Sequence, residues 1–268
     1  MKITCLGTAA AKPEGNRDTA SFMVNERCLI DTGLCAVLRM VSLGFNPQEL
    51  DYLFLTHCHH DHYLGLAPLL FYRRMQYRSN GRESRLTIFG PEEDVERVVE
   101  RTEIFLQVDL FPPLGSELEV VPLPAGDECE TDELRVSTCA TRHGVSGLAL
   151  RLTEKSTGAT AAFSGDTAYD PAIVDHVEGA GLLMHDSFEG EKSPGGDEDA
   201  VHAGGPDAAR VALEANVHML ALVHLDQDVQ TAALKAAREI FPNTVLPSEG
   251  QVFQVGKDSV STSGAAPE

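Results

Sequence analysis

The sequence predicts an α/β fold of two packed sheets with helices on their outer faces, and three features point to it. Strand-like runs cluster and then alternate with helical patterns in each half of the chain, an order that suits sheet layers covered by helices. No internal repeat and no linker divides the 268 residues. The stretch Thr56-His57-Cys58-His59-His60-Asp61-His62 sits between a short apolar run, Leu53-Phe54-Leu55, and an apolar helix start. That is the loop leaving the carboxyl end of a buried strand, where open α/β sheets carry their chemistry.

Taken in order, Lys2 to Leu6 reads as a strand stopped by Gly7-Thr8, and Ala9 to Asp18 as a loop. Ala20 to Val24 and Arg27 to Asp31 read as strands joined by a turn at Asn25-Glu26. Ala36 to Leu43 is helical in pattern, and Asn46 to Leu50 starts a short helix. After the histidine cluster, Pro68 to Arg78 reads as a helix, with proline suited to a first turn. Leu86 to Phe89 follows as a strand. Glu92 to Phe105 has Val95, Val98, Val99 and Phe105 at helical spacing, with acids in its first turn. Glu117 to Leu123, Leu134 to Thr141, Val145 to Leu152 and Ala159 to Ser164 are strand candidates. Pro171 to Val177 is helical and Gly181 to His185 is a buried strand. Glu189 to Asp199 reads as an acidic loop, Pro206 to Asn216 as an amphipathic helix and His218 to His224 as a strand. Thr231 to Phe241 is the last helix and Gln251 to Val255 the last strand. Residues 1–256 then form one domain, and the small, polar stretch 257–268 reads as a flexible tail.

Bulk composition narrows the function. Hydrophobic residues are 43% and charged residues 23%, ordinary for a globular chain. A formal net charge of -20 argues against a generally basic nucleic-acid surface. The 6 cysteines are scattered without CxxC pairing, which suits reduced thiols and a cytoplasmic setting. No apolar run approaches the roughly 20 residues that span a bilayer, so no membrane partner is expected.

The cluster holds four imidazoles and a carboxylate in six consecutive positions. In an extended segment, residues two apart point the same way, so His57, His59 and Asp61 can face one point, and His62 joins as the chain turns into a helix. Such donors suit zinc, iron or manganese. Further donors follow other strands: His143 after Leu134 to Thr141, Asp166 after Ala161 to Gly165, and His224 at the end of His218 to Val223.

These residues, with Ser164-Gly165-Asp166-Thr167 and Val223-His224-Leu225, resemble the metallo-β-lactamase superfamily. Gly7-Thr8-Ala9-Ala10, Arg17 to Ser21, and His202 ahead of a helix and His224 are similar to ribonuclease Z and its phosphodiesterase relatives. The resemblance implies an αββα sandwich of two mixed sheets. It implies two divalent metals, zinc first and manganese or iron as alternatives. His57, His59 and His143 would hold one metal, and Asp61, His62 and His224 the other, with Asp166 between them. Asp61 and His202 are then the expected catalytic residues, His202 protonating the leaving oxygen or binding the scissile phosphate. Asp31 and His185 are candidates to brace the ligands from outside. Arg73 and Arg74, among the aromatic residues after the cluster, are candidates to receive a substrate's phosphate and stack a base.

The expected activity is hydrolysis of a small or cyclic phosphodiester by metal-activated water. The common ribonuclease Z carries a tRNA-gripping arm between the positions matching His143 and Asp166. Here a pair of strands fills that interval. A tRNA 3′-end endoribonuclease, an arylsulfatase or lactonase, and a non-catalytic metal-binding scaffold are the alternatives. RNA is a less favoured partner, and a homodimer is the simplest assembly.

Overall fold

A computed structural model describes residues 1–111, 116–195 and 197–264. The first half lays down β1 (Lys2–Gly7), β2 (Ser21–Val24), β3 (Cys28–Ile30), α1 (Ala36–Ser42), a 3-10 turn (Pro47–Glu49) and β4 (Tyr52–Phe54). It continues with α2 (His60–Tyr63), α3 (Leu66–Asn80), β5 (Ser84–Pro91), α4 (Val95–Phe105) and β6 (Ser116–Leu123). The second half holds β7 (Glu128–Glu130), β8 (Leu134–Ala140), β9 (Leu148–Glu154), β10 (Thr160–Phe163), α5 (Pro171–His176) and β11 (Leu182–Asp186). Then come α6 (Gly205–Glu214), β12 (Met219–Val223), α7 (Gln230–Ile240), β13 (Thr244–Val245), β14 (Val252–Val255) and β15 (Val260–Ser263).

The strands form two mixed sheets, β15-β14-β1-β2-β3-β4-β5-β6 and β13-β12-β11-β10-β9-β8-β7. Period-two alternation explains the layers. In the run Leu53-Phe54-Leu55, Phe54 points into the core between the sheets with Phe22, Phe89, Phe163 and Phe253. Leu53 and Leu55 point outward into a second cluster with Met40, Leu66, Leu69 and Val95 of α1, α3 and α4. A third cluster packs α5, α6 and α7 onto the outer face of the other sheet through Leu183, Leu220 and Leu222. Helices thus cover both outer faces, as the sequence order predicted.

Close backbone approach holds the cluster loop against the first sheet. A Cβ on Gly33 would lie 2.4 Å from the Thr19 carbonyl oxygen, and one on Gly65 would lie 2.3 Å from that of Gly33. The Thr19 hydroxyl donates to the Asp61 carbonyl at 2.8 Å. The segments after β3 and after the cluster therefore stack without side chains between them.

Some elements differ from the sequence expectation. Val260–Ser263 pairs antiparallel with β14, so the supposed tail from 257 adds an edge strand, while 265–268 lie outside the described residues. Val260 packs against the core between the sheets, and the polar residues after it need no buried face, because an edge strand is held by one ladder. β9 starts at Leu148 rather than Val145, since the preceding residues form the loop carrying His143.

Candidate metal centre

Each candidate ligand leaves a strand end on one edge of the sandwich. His57, His59, Asp61 and His62 follow β4, and an isolated bridge between His57 and Gly147 ties this loop to the second sheet. His143 follows β8, Asp166 follows β10 and His224 follows β12. His224 and Asp31 both take left-handed backbone, with φ of 58° and 56°, a conformation that non-glycine residues hold mainly where surrounding structure enforces it. For His224 the restraint includes its amide donating to the Thr8 carbonyl, and for Asp31 its amide donating to that of Phe54.

Two sets of donors converge. His57, His59, His143 and Asp166 each offer a ligand atom within 4.8 Å of the others, and so do Asp61, His62, Asp166 and His224. Asp166 belongs to both. Its Oδ2 lies 3.5 Å from His57 Nε2, 3.9 Å from His143 Nε2 and 3.5 Å from His224 Nε2, and its Oδ1 is 3.4 Å from His62 Nε2. Asp61 Oδ2 is 3.3 Å from His62 Nε2 and 3.2 Å from His224 Nε2. Buried Nε2 atoms of His57 and His62 have no hydrogen-bond partner. Such spacings suit atoms grouped around a cation with metal–donor bonds of about 2.0–2.2 Å. The donor set therefore fits divalent metal.

Outer partners aim these rings. Asp31 Oδ2 lies 2.8 Å from His62 Nδ1, and the Thr56 amide and hydroxyl donate to the same carboxylate. His143 Nδ1 lies 2.8 Å from the Val201 carbonyl. Asp186, which with His185 stands where the resemblance places a His-Glu pair, supplies the next contacts. Its Oδ2 is 2.8 Å from His202 Nδ1 and its Oδ1 3.5 Å from His224 Nδ1.

The electrostatics follow from burial and neighbours. Burial lowers the pKa of His57 well below the ordinary value, helped by the charge of His62. Burial opposes the charge on His62 too, but the Asp166 and Asp31 carboxylates reverse this, and its pKa stands well above the usual imidazole range. His224 is likewise raised to about 10, burial being outweighed by Asp166, Asp186 and Asp61. Burial also works against ionised Asp166, yet His224, His62 and His57 hold its pKa well below the carboxylate range. The carboxylates thus hold protons on His62 and His224, and an entering cation takes the place of those protons.

Two sequence expectations are corrected. His185 does not reach the centre: alternation along β11 turns its ring to the helix-covered side and turns Asp186 to the site. Arg73 is fully buried and unavailable to a substrate, with its guanidinium donating to the carbonyls of Pro47, Gln48, Leu50 and Arg85. Arg74 stacks over Phe111 in a groove with Leu70, Met75 and Phe105, apart from the histidine cluster. His202 stands beside the donors, its ring 4.8 Å from that of His143 and 4.6 Å from that of Phe188.

A family model described as anti-Pycsar protein Apyc1 matches residues 1–241. The chain belongs to that family. It is also 28% identical to the ribonuclease Z of Methanothermobacter thermautotrophicus over 95% of this chain and 97% of that one. It is 24% identical to the ribonuclease Z of Oceanobacillus iheyensis over 95% of this chain and 100% of that one. Among solved structures, the metallo-β-lactamase fold protein YhfI from Bacillus subtilis superposes with a TM-score of 0.79 at 22% identity, covering 98% and 99% of the two chains. The short form of human tRNase Z gives 0.73 at 21%, covering 95% and 99%. The fold is that of the metallo-β-lactamase superfamily, of the ribonuclease Z-like kind. No helix among the described residues is long and apolar enough to cross a membrane.

Proposed function

We propose that this chain is a metal-dependent hydrolase of small or cyclic phosphodiesters. The observation that carries the reading is the convergence of seven donors with a shared carboxylate at their centre and a histidine–carboxylate pair at their side. In this reading His57, His59, His143 and Asp166 hold one divalent ion, and Asp61, His62, Asp166 and His224 hold a second, with zinc preferred. When bound, such a pair lowers the pKa of a shared water towards about 7 and neutralises charge on a phosphoryl group.

The chain's own residues supply the rest. Asp31 fixes the His62 ring, so that Nε2 faces the centre. Asp186 holds His202 through Nδ1, leaving Nε2 for a substrate oxygen. A proton on that nitrogen can pass to a departing alkoxide. Small substrates are favoured because β9, β10 and the short turn joining them account for most of the interval between His143 and Asp166, leaving no room for an RNA-gripping arm. The ribonuclease Z relatives keep RNA cleavage as the second reading.

A metal-loaded sample assayed on bis-p-nitrophenyl phosphate, cyclic nucleotides, aryl sulfates, lactones and precursor tRNA tests this. Turnover of the diesters is expected, with His202→Ala slowing those with alkoxide leaving groups by about 10²-fold or more. Bound metal with no hydrolysis across the panel would leave a scaffold instead.

A further inference from the structure

Among the described residues, the short turn Asp197–His202 is tied to the body of the protein mainly by polar and ring contacts. Residues 197–199 and Val201 are exposed, so apolar burial does little to hold it. Within the turn, the Ala200 amide donates to the Asp197 carbonyl and the Asp199 amide to the Asp197 side chain. Outward, the Asp197 amide donates to the Pro194 carbonyl, and the His202 ring meets Asp186, Phe188, His143 and His224. Two further ties come from consecutive residues after β8. The Arg142 guanidinium donates to the Asp197 carbonyl, and His143 Nδ1 lies 2.8 Å from the Val201 carbonyl. Residue 142 is itself pinned beside Asp166, its amide donating to the Thr167 hydroxyl and its carbonyl accepting from the Ala168 amide.

This gives His143 two partners on opposite sides of one ring. Its Nε2 faces the donor cluster, and its Nδ1 faces the residue before His202. An ion on Nε2 leaves Nδ1 as an obligatory N–H donor, and the acceptor waiting for it is the Val201 carbonyl. Without an ion, Nε2 has only the His59 Nδ1 atom 3.0 Å away as its neighbour, and the ring lacks the bond that would pin it against that carbonyl. We propose that ion binding at His57, His59 and His143 and the seating of His202 are one coupled event, transmitted through the Asp197–His202 turn, with Arg142 as a positioning residue. Coupling of this kind is reciprocal: whatever loosens the turn also weakens the ion's hold.

The coupling itself needs no catalysis, and only its kinetic arm rests on the function proposed above. Amide hydrogen exchange of the full chain is measured with manganese and with chelator, using the exposed edge strand β15 as the internal reference, because its amides exchange by local fraying rather than by global unfolding. Protection over 197–202 is expected to rise by about tenfold or more with manganese while β15 stays unchanged, a size typical of coupled sites. Arg142→Ala should remove most of that gain and weaken manganese binding several-fold, with Arg142→Lys recovering part of both. In kinetics, Arg142→Ala should slow diesters with alkoxide leaving groups far more than those releasing p-nitrophenolate, which leaves without a proton. Equal exchange of the turn with and without manganese overturns the proposal, as does a gain shared equally by β15. A responsive turn in a protein that hydrolyses nothing upholds the coupling and defeats the phosphodiesterase reading.

Discussion

At the scale of single residues, Asp186 sets the proton affinity of His202. Burial depresses the His202 imidazole, but the Asp186 hydrogen bond and charge outweigh it, and the pKa of His202 stands above its ordinary value. A raised histidine contributes stability fully present below its unfolded pKa of about 6.5 and lost as pH rises through the folded value. The same sign governs catalysis, since a proton donor fails once it titrates. Asp186→Asn should therefore move the alkaline limb of the pH–rate profile to lower pH for alkoxide-releasing diesters. An unmoved limb would mean that His202 is not the titrating donor. The cluster His57 to His62 could be read from spacing alone, because side-chain direction in an extended segment follows position. Asp186 could not. β11 is buried along its whole length, so its run Leu182 to His185 has no polar alternation to say which face each residue takes. The histidine drew the attention, and its neighbour carries the contact.

At the scale of elements, α3 is anchored by a charge rather than by its apolar stripe alone. Arg73 crosses from the helix to the 3-10 turn and to β5, and its guanidinium serves four backbone carbonyls. Replacing it with methionine keeps much of the bulk but strands those acceptors. Each buried unpaired polar group costs about 1–3 kcal/mol. Arg73→Met is expected to lower unfolding free energy by at least about 3 kcal/mol, read from denaturant melts. A loss under about 1 kcal/mol would show that water replaces the guanidinium. In the sequence Arg73 stands among Arg74, Arg78 and three aromatic residues, which made it look like part of a solvent-facing basic patch. Only the packing of α3 against the 3-10 turn separates it from its neighbours. The edge strand β15 was hidden for a related reason, since its polar residues carry no hydrophobic signal and its pairing with β14 is a matter of main-chain bonds.

For the whole molecule, ligands come from both sheets, so metal binding and folding are linked. An ion that binds only the folded chain, at a free concentration about a hundred times its Kd, adds about 2.7 kcal/mol. For a chain of this size that corresponds to a melting shift of roughly 5 °C or more. Chelation should lower the melting temperature by that amount, and readdition of zinc or manganese should restore it. Identical melts with and without chelator would remove the ions from the folded state. The order of strands and helices foretold the layered architecture because hydrophobic periodicity is local, whereas the meeting of His143, Asp166 and His224 depends on strand order in the second sheet, which no local pattern specifies. The division of donors has one more consequence. His57, His59, Asp61 and His62 hang from one layer, while His143, Asp166 and His224 hang from the other. A backbone nick between these groups would give two fragments, each with an incomplete chelator. Regained chemistry on mixing them would then report that the halves had found each other, which makes the centre a built-in gauge of assembly.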